Sequence, residues 1–266
     1  MIGFNHLGRL GRLGNQMFQF AALKGIARNR NFEICIPNHT QSINDGIGNM
    51  LKTELFIPFD VKVDSVGLIN APYVNEPHFN FSEEFFNNCP DNVSLVGFFQ
   101  TEKYFKHIEN EIREDFSFKE EIKNSCNKIF NDLCLDKPIS LHIRRGDYIL
   151  NSDRHNVLPL EYYENALSKF NSNREVIIFS DDPSWCKEQK LFSSDRFFVS
   201  EGTDEYHDLC LMSMCDGFII ANSSFSWWAA WLSNKEEVYY PSIWFGPAID
   251  NNTDDITPNH WKEIEI

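Results

Sequence analysis

The stretch Ile139-Ser140-Leu141-His142-Ile143-Arg144-Arg145-Gly146-Asp147-Tyr148 places two adjacent guanidiniums where an apolar run gives way to polar chain. Ile139 to Ile143 reads as a short buried strand, and the Gly146-Asp147 step breaks it into a loop. Arginine at a strand exit offers a rigid, planar fork of donors that matches phosphate oxygens, and it cannot shed its charge. The pattern therefore reads as a phosphate clamp. A structural ion pair between either arginine and Asp147 or another acid is the competing reading. Arg145-Gly146-Asp147 also matches an adhesion tripeptide, but a display loop should be exposed, and this one follows an apolar strand directly.

Outward from this stretch the chain alternates regularly. Strands are expected at 139–144, 175–180, 196–199, 217–221 and 237–240, separated by helices at 160–170, 183–190, 204–215 and 224–233. Apolar strands separated by helices imply a parallel sheet covered on both faces, with ligands beyond the carboxyl ends of the strands. Three polar clusters fall at such ends: His142 to Asp147, Ser180-Asp181-Asp182, and Asn222-Ser223-Ser224. Ser223 or Ser224 would cap the next helix, either as ordinary capping or to leave amides and hydroxyls free for an anion. Asp181 and Asp182 would accept hydrogen bonds from a nucleobase or ribose, or cap the helix beginning near Pro183. His142 shares Arg144's side of the strand, although a buried core histidine is the commoner fate of such a residue.

Upstream, Gly8 to Gly14 forms a glycine-punctuated loop that runs into a helix over 15–29, whose first amides and positive dipole end face whatever lies above the loop. Its Gly-x-x-Gly-x-x-Gly spacing is not the Gly-x-Gly-x-x-Gly of dinucleotide folds. A strand at 32–36, a poorly periodic segment to 92, a strand at 93–99 and helices at 102–114 and 118–133 follow. The formal charge of −15 and a sequence pI near 4.9 set long-range repulsion against nucleic acid and anionic membranes. A small anion needs only a local cationic pocket, for which Arg144, Arg145, Arg154 and His155 are candidates. Seven irregularly spaced cysteines read as reduced thiols. His207, Cys210 and Cys215 match no zinc spacing. No apolar run approaches the ~20 residues needed to span a bilayer, and the start lacks a signal peptide, so a cytoplasmic protein is expected. The chain also lacks any Asp-x-Asp sequence, which argues against a metal-bridged diphosphate and suits arginines that neutralise a leaving group themselves.

His142-Ile143-Arg144-Arg145-Gly146-Asp147-Tyr148 resembles the HxRRGDY signature of the inverting α-1,2-fucosyltransferases. Gly11-Arg12-Leu13-Gly14-Asn15-Gln16-Met17-Phe18-Gln19, Gly97-Phe98-Phe99-Gln100-Thr101-Glu102-Lys103-Tyr104-Phe105 and Asn222-Ser223-Ser224-Phe225-Ser226-Trp227-Trp228 agree with that family in the same order. The doubled Gly-Arg-Leu repeat carrying Arg9 and Arg12 departs from it, since the family more often shows Gly-Gly there.

The resemblance implies an α/β, GT-B-like fold: two Rossmann-like domains facing each other across a cleft. The acceptor-side domain would span 1–115, and the GDP-fucose-binding domain 116–266. It implies GDP-β-L-fucose as co-substrate, no cofactor, no required metal, and a β-galactoside-terminated glycan as acceptor. Arg144 and Arg145 would hold the diphosphate, while Ser223, Ser224 and Phe225, flanked by Asn222 and Ser226, complete its cradle; Asp147, by its charge beside the arginines rather than by the resemblance, reads as an orienter. His142 with Asp181 or Asp182 would contact guanosine. Asn15, flanked by Gly14 and Gln16, would face the fucose. The expected reaction is a single in-line displacement at C1 of fucose, with the general base left open. Another nucleotide-sugar transferase, a different fucose linkage, or a non-catalytic GDP- or glycan-binding module are the alternatives.

Overall fold

The computed structural model describes residues 1–37, 43–44, 50–51 and 53–266. They form two compact units, Met1–Lys119 with Asn252–Pro258, and Glu120–Asn251 with Asn259–Ile266.

The first unit is built on a parallel sheet whose strands are ordered Ser65–Val66, Ile34–Ile36, Ile2–Gly3, Ser94–Val96, Tyr73–Asn75. A separate antiparallel pair joins Ile43–Asn44 to Met50–Leu51. The helix expected over 15–29 forms as Leu13–Arg30 and ends on Asn31 in the left-handed conformation, whose amide bonds back to the helix. It is buried along most of its length, so it runs through the unit's interior rather than over its surface. Phenylalanines dominate the core around it: Phe4, Phe18, Phe20, Phe59, Phe99, Phe105 and Phe116 are all essentially inaccessible. Phe59 stacks at 5.1 Å from Phe116 and 5.0 Å from Phe118, in tilted geometry that suits the ring quadrupoles.

A helix that passes through an interior buries polar residues along with apolar ones, including Lys24. Its ammonium, 4 % exposed, meets the carboxylate of Asp115, 1 % exposed, and the other carboxylate oxygen accepts the Lys62 amide at 3.1 Å. A buried charge is tolerated only when paired and hydrogen-bonded, and both conditions hold here.

The second unit carries six parallel strands in the order Phe197–Val199, Val176–Ser180, Ile139–Ile143, Gly217–Ile219, Val238–Pro241, Lys262–Ile264. Counted along this unit the order is 3-2-1-4-5-6, the doubly wound arrangement, whose topological switch lies between the strands Ile139–Ile143 and Gly217–Ile219. Gly146–Leu150, Leu160–Leu167, Pro183–Glu188, Glu205–Ser213 and Ser224–Ser233 are helices between the strands. Tyr162, fully buried, satisfies its hydroxyl by donating to the carbonyl of Ile220 at 2.6 Å and so ties a covering helix to the sheet. The α/β class and the two Rossmann-like parallel sheets expected from the sequence are both present.

Three details differ. Gly146–Leu150 is a short helix rather than a loop, because Gly146 and Asp147 turn the chain directly into helical geometry after Arg145. The helix expected over 102–114 is two 3-10 turns, Glu102–Tyr104 and Lys106–Ile108, followed by the helix Glu109–Asp115. The last strand, Lys262–Ile264, and the strands Ser65–Val66 and Tyr73–Asn75 carry too few apolar residues to show a period.

The buried ion pair yields a stability prediction. Asp115→Asn removes the buried partner of Lys24 and leaves it only Glu111, 3.9 Å away with 42 % of its side chain in solvent. Removing one partner of a buried pair costs about 3–5 kcal/mol, so chemical denaturation of the full chain should show a loss of that size.

Candidate functional site

The site of the second unit grows from the strand Ile139–Ile143, buried at every position. Its exit delivers Arg144 and Arg145 at the topological switch. Arg144 reaches Asp181 through Nη1 at 2.9 Å and Asp147 through Nη2, and its guanidinium lies 5.4 Å from the centre of the Tyr148 ring. Arg145 donates its backbone amide to Asp181 at 2.9 Å and Nε to Asp182 at 3.2 Å. Its guanidinium lies 3.8 Å from the centre of the Trp185 ring, a cation–π stack. These contacts use only part of each arginine's five donors, so the forks are oriented while donors remain for a ligand.

Gly146 makes this geometry possible. A Cβ at that position would sit 2.5 Å from Asp181 Oδ2, the oxygen that holds Arg144. Any other residue would push the carboxylate off its arginine.

Asp182 both caps and pairs. Oδ1 accepts the Trp185 amide at 3.2 Å at the start of the helix Pro183–Glu188, while Oδ2 takes Arg145. The oxygens of Asp181 and Asp182 are thus engaged with protein donors, and both acids hold the arginines in place.

Across the switch, Ser223 is the N-cap of the helix Ser224–Ser233, and its hydroxyl accepts the Phe225 amide at 3.3 Å. Ser226 turns inward and donates to the carbonyls of Ala221 and Ser223. Behind the cap Trp227, Trp228 and Trp231 are buried, with Trp231 stacked on Trp227, so the helix start is rigidly backed. Asn222 is buried; its amide nitrogen donates to Asn156 at 3.1 Å and Trp244 at 2.9 Å, while Oδ1 has no partner. The Tyr148 hydroxyl donates to the Asn222 carbonyl at 3.0 Å, and the Tyr148 ring stacks on His155 at 4.6 Å. Tyr148 thereby links the arginine segment to the serine segment. Of the four expected cationic groups, Arg154 is exposed, and burial lowers the pKa of His155.

His142 lies at 5 % exposure with its ring 5.8 Å from Phe225 and its Nδ1 without a partner. Burial, with Arg144 adding repulsion, brings its pKa down to about 3. The ring is therefore neutral at physiological pH.

In the first unit the two motif segments meet at a second sheet switch, between Ile2–Gly3 and Ser94–Val96. Asn15 Oδ1 accepts from Gln100 Nε2 at 2.6 Å, and Gln19 Nε2 bridges the carbonyls of Leu10 and Gly97 at 3.1 Å each. Gln16 is buried and its Oε1 accepts the Glu54 amide at 2.7 Å; Gly14 is buried at the start of the same helix.

Tyr148 and Gln19 stand inside the quoted motifs without an assigned role, and Trp185 lies outside them; as neutral or hydrophobic residues they carry no charge signal that marks a site. His207 bonds to Asp204 at 2.7 Å, and among the described residues no group of three or more His, Cys, Asp or Glu side chains could hold a metal ion. No helix among them is long and apolar enough to cross a membrane.

Two parallel, Rossmann-like sheets, the second of them doubly wound, give the chain a GT-B-like α/β fold. The chain belongs to glycosyl transferase family 11, whose model matches residues 2–264. It is 32 % identical to the O-antigen biosynthesis glycosyltransferase WbnK of Escherichia coli, covering 96 % of this chain and 98 % of that one. It is also 32 % identical to an α-1,2-colitosyltransferase of the same species, over 96 % and 97 %. With the bovine galactoside α-(1,2)-fucosyltransferase 2 the identity is 26 %, over 88 % of this chain and 70 % of that one. Its fold matches NodZ α-1,6-fucosyltransferase soaked with GDP-fucose, with a TM-score of 0.54 at 13 % identity over 87 % and 91 % of the two chains. POFUT1 in complex with GDP matches with a TM-score of 0.55 at 15 % identity over 89 % and 96 %.

A pH dependence of stability follows from His142. Its imidazole stays neutral when folded, whereas the unfolded side chain takes up a proton below about 6.5. The contribution is complete above that pH and is lost as pH falls toward about 3, at about 1.4 kcal/mol per pH unit. Denaturation curves for His142→Leu should show a shallower loss across that window than the parent.

Proposed function

We propose that this family 11 glycosyltransferase moves L-fucose from GDP-β-L-fucose to the 2-hydroxyl of a terminal β-galactoside, by one in-line displacement with inversion. The observation that carries this reading is the pair of guanidiniums fixed at the sheet switch by Asp147, Asp181 and Asp182, beside the Ser223-capped helix. As the bond from C1 to the β-phosphate oxygen breaks, negative charge grows on that phosphate. Arg144 and Arg145 then stabilise it with donors already in place, which lowers the barrier without reorganisation.

On this reading Asp147, Asp181 and Asp182 serve the donor through the arginines they orient. Asn222, Ser223, Ser224, Phe225 and Ser226 form the diphosphate cradle, and His142, neutral and buried against Phe225, serves the guanosine end. Gly14, Asn15 and Gln16 are assigned to the fucosyl end. Charge neutralisation by arginine makes the reaction independent of a metal ion, and the protein acts in the cytoplasm. The likeness to an α-1,2-colitosyltransferase supports a second reading, in which the donor carries colitose.

The test is incubation with GDP-fucose or GDP-colitose and a β-galactoside, followed by NMR of the new linkage. Fucosyl transfer in α-1,2 linkage is expected; colitosyl transfer alone moves the assignment to the second reading, and GDP binding without turnover of either donor refutes both. Arg144→Ala should lower turnover by about 10²- to 10³-fold, with circular dichroism unchanged. Near-parental turnover in that variant removes Arg144 from the mechanism.

A further inference from the structure

Glu76 follows the edge strand Tyr73–Asn75 of the first unit, and its carboxylate is gripped by the turn that leaves the neighbouring strand. Oε2 accepts the amide of Phe98 at 2.7 Å and Oε1 that of Phe99 at 2.9 Å. The turn is shaped around this group. Gly97 has φ +159°, and a Cβ there would lie 2.4 Å from the Glu76 Cβ and 2.6 Å from Oε2. Phe99 holds φ 53°, an uncommon conformation for an aromatic residue.

Each carboxylate oxygen has roughly two acceptor directions, and one of each is taken. Glu76 is only partly buried, and Phe98 beside it leaves 38 % of its surface in solvent. An oriented carboxylate next to an exposed aromatic ring suits a sugar, whose hydroxyls donate and whose C–H face stacks. This lies at the carboxyl edge of the sheet, near the switch where Asn15 and Gln100 join.

Its environment also suits proton transfer. Burial raises the carboxyl pKa to about 7 despite the two amides, and the negative charge of Asp255 raises it further. Asp255 is itself paired with Lys103 at 3.2 Å and accepts the Phe81 amide at 3.0 Å, and Tyr104 borders both acids. A general base works best with a pKa near the operating pH.

We propose that Glu76 is the group that orients the acceptor sugar's attacking hydroxyl and takes its proton. The inference rests on the transfer reading above. The acceptor oxygen forms its bond to C1 of the donor sugar while the bond from C1 to the phosphate oxygen breaks. The leaving electron pair goes to GDP, and the hydroxyl proton goes to the Glu76 carboxylate.

The carboxylate is the active form, so kcat/KM for transfer from GDP-fucose to lactose should rise as pH rises through about 7 and level off above it. In Glu76→Gln, turnover should fall by about 10²- to 10⁴-fold, the acid limb should vanish, and GDP affinity by calorimetry should match the parent. Turnover within tenfold of the parent, or an unmoved acid limb, overturns the proposal. A parent enzyme that neither binds GDP nor transfers fucose fails the transfer reading instead. Should Glu76→Gln not fold, carbodiimide labelling of the parent decides: lactose should protect Glu76 and GDP should not, as read by peptide mass spectrometry, and absence of protection by lactose overturns the proposal.

Discussion

Two permanent charges side by side at the end of a buried strand must be answered by acids. Here the answer comes from the next strand of the same sheet. Asp181 and Asp182 leave Val176–Ser180 in register with the exit of Ile139–Ile143, and each takes hold of one arginine. The parallel pairing of these strands therefore sets the charge geometry, and Gly146 sets how closely the two segments approach. Side chains fixed this way lose little entropy on meeting a ligand, which is the value of preorganisation. The same contacts explain why the competing readings of this motif were not exclusive. The arginines are ion-paired, and they retain donors.

The two units solve a similar problem with different materials. Each builds its polar constellation at a sheet switch, beyond the carboxyl ends of parallel strands. In the second unit charge dominates, backed by tryptophans of the helix Ser224–Ser233. In the first, neutral amides dominate: Asn15, Gln19 and Gln100 bond to one another's segments and to backbone carbonyls, over a core of phenylalanine. A guanidinium pair is suited to a diphosphate, and amides with one partly buried carboxylate to neutral hydroxyls.

Much of this was legible in the chain because periodicity and charge are local properties. Strands that are apolar almost throughout, such as Val176–Ser180 with its single terminal serine, announced the second sheet, and the Ser223-Ser224 pair announced the cap that Ser223 supplies. The strands Ser65–Val66, Tyr73–Asn75 and Lys262–Ile264 did not show, because two or three residues at a sheet edge need not be apolar. Glu102 to Asp115 carries a helical pattern but opens with two 3-10 turns before the helix Glu109–Asp115, since tertiary packing of Tyr104 and Phe105 overrides local propensity. Glu76 was invisible for a different reason. A lone acid in a polar segment has no signature until the amides that grip it, more than twenty residues away in sequence, come into place.

The return of Asn252–Pro258 to the first unit bears on how this gene can be cut. Asp255 accepts the Phe81 amide and neutralises Lys103, so a fragment ending at Lys119 would expose both groups without their counterpart. Splitting the coding sequence between the halves is consequently disfavoured, and domain exchange with a homologue must carry the C-terminal strip along with the N-terminal body.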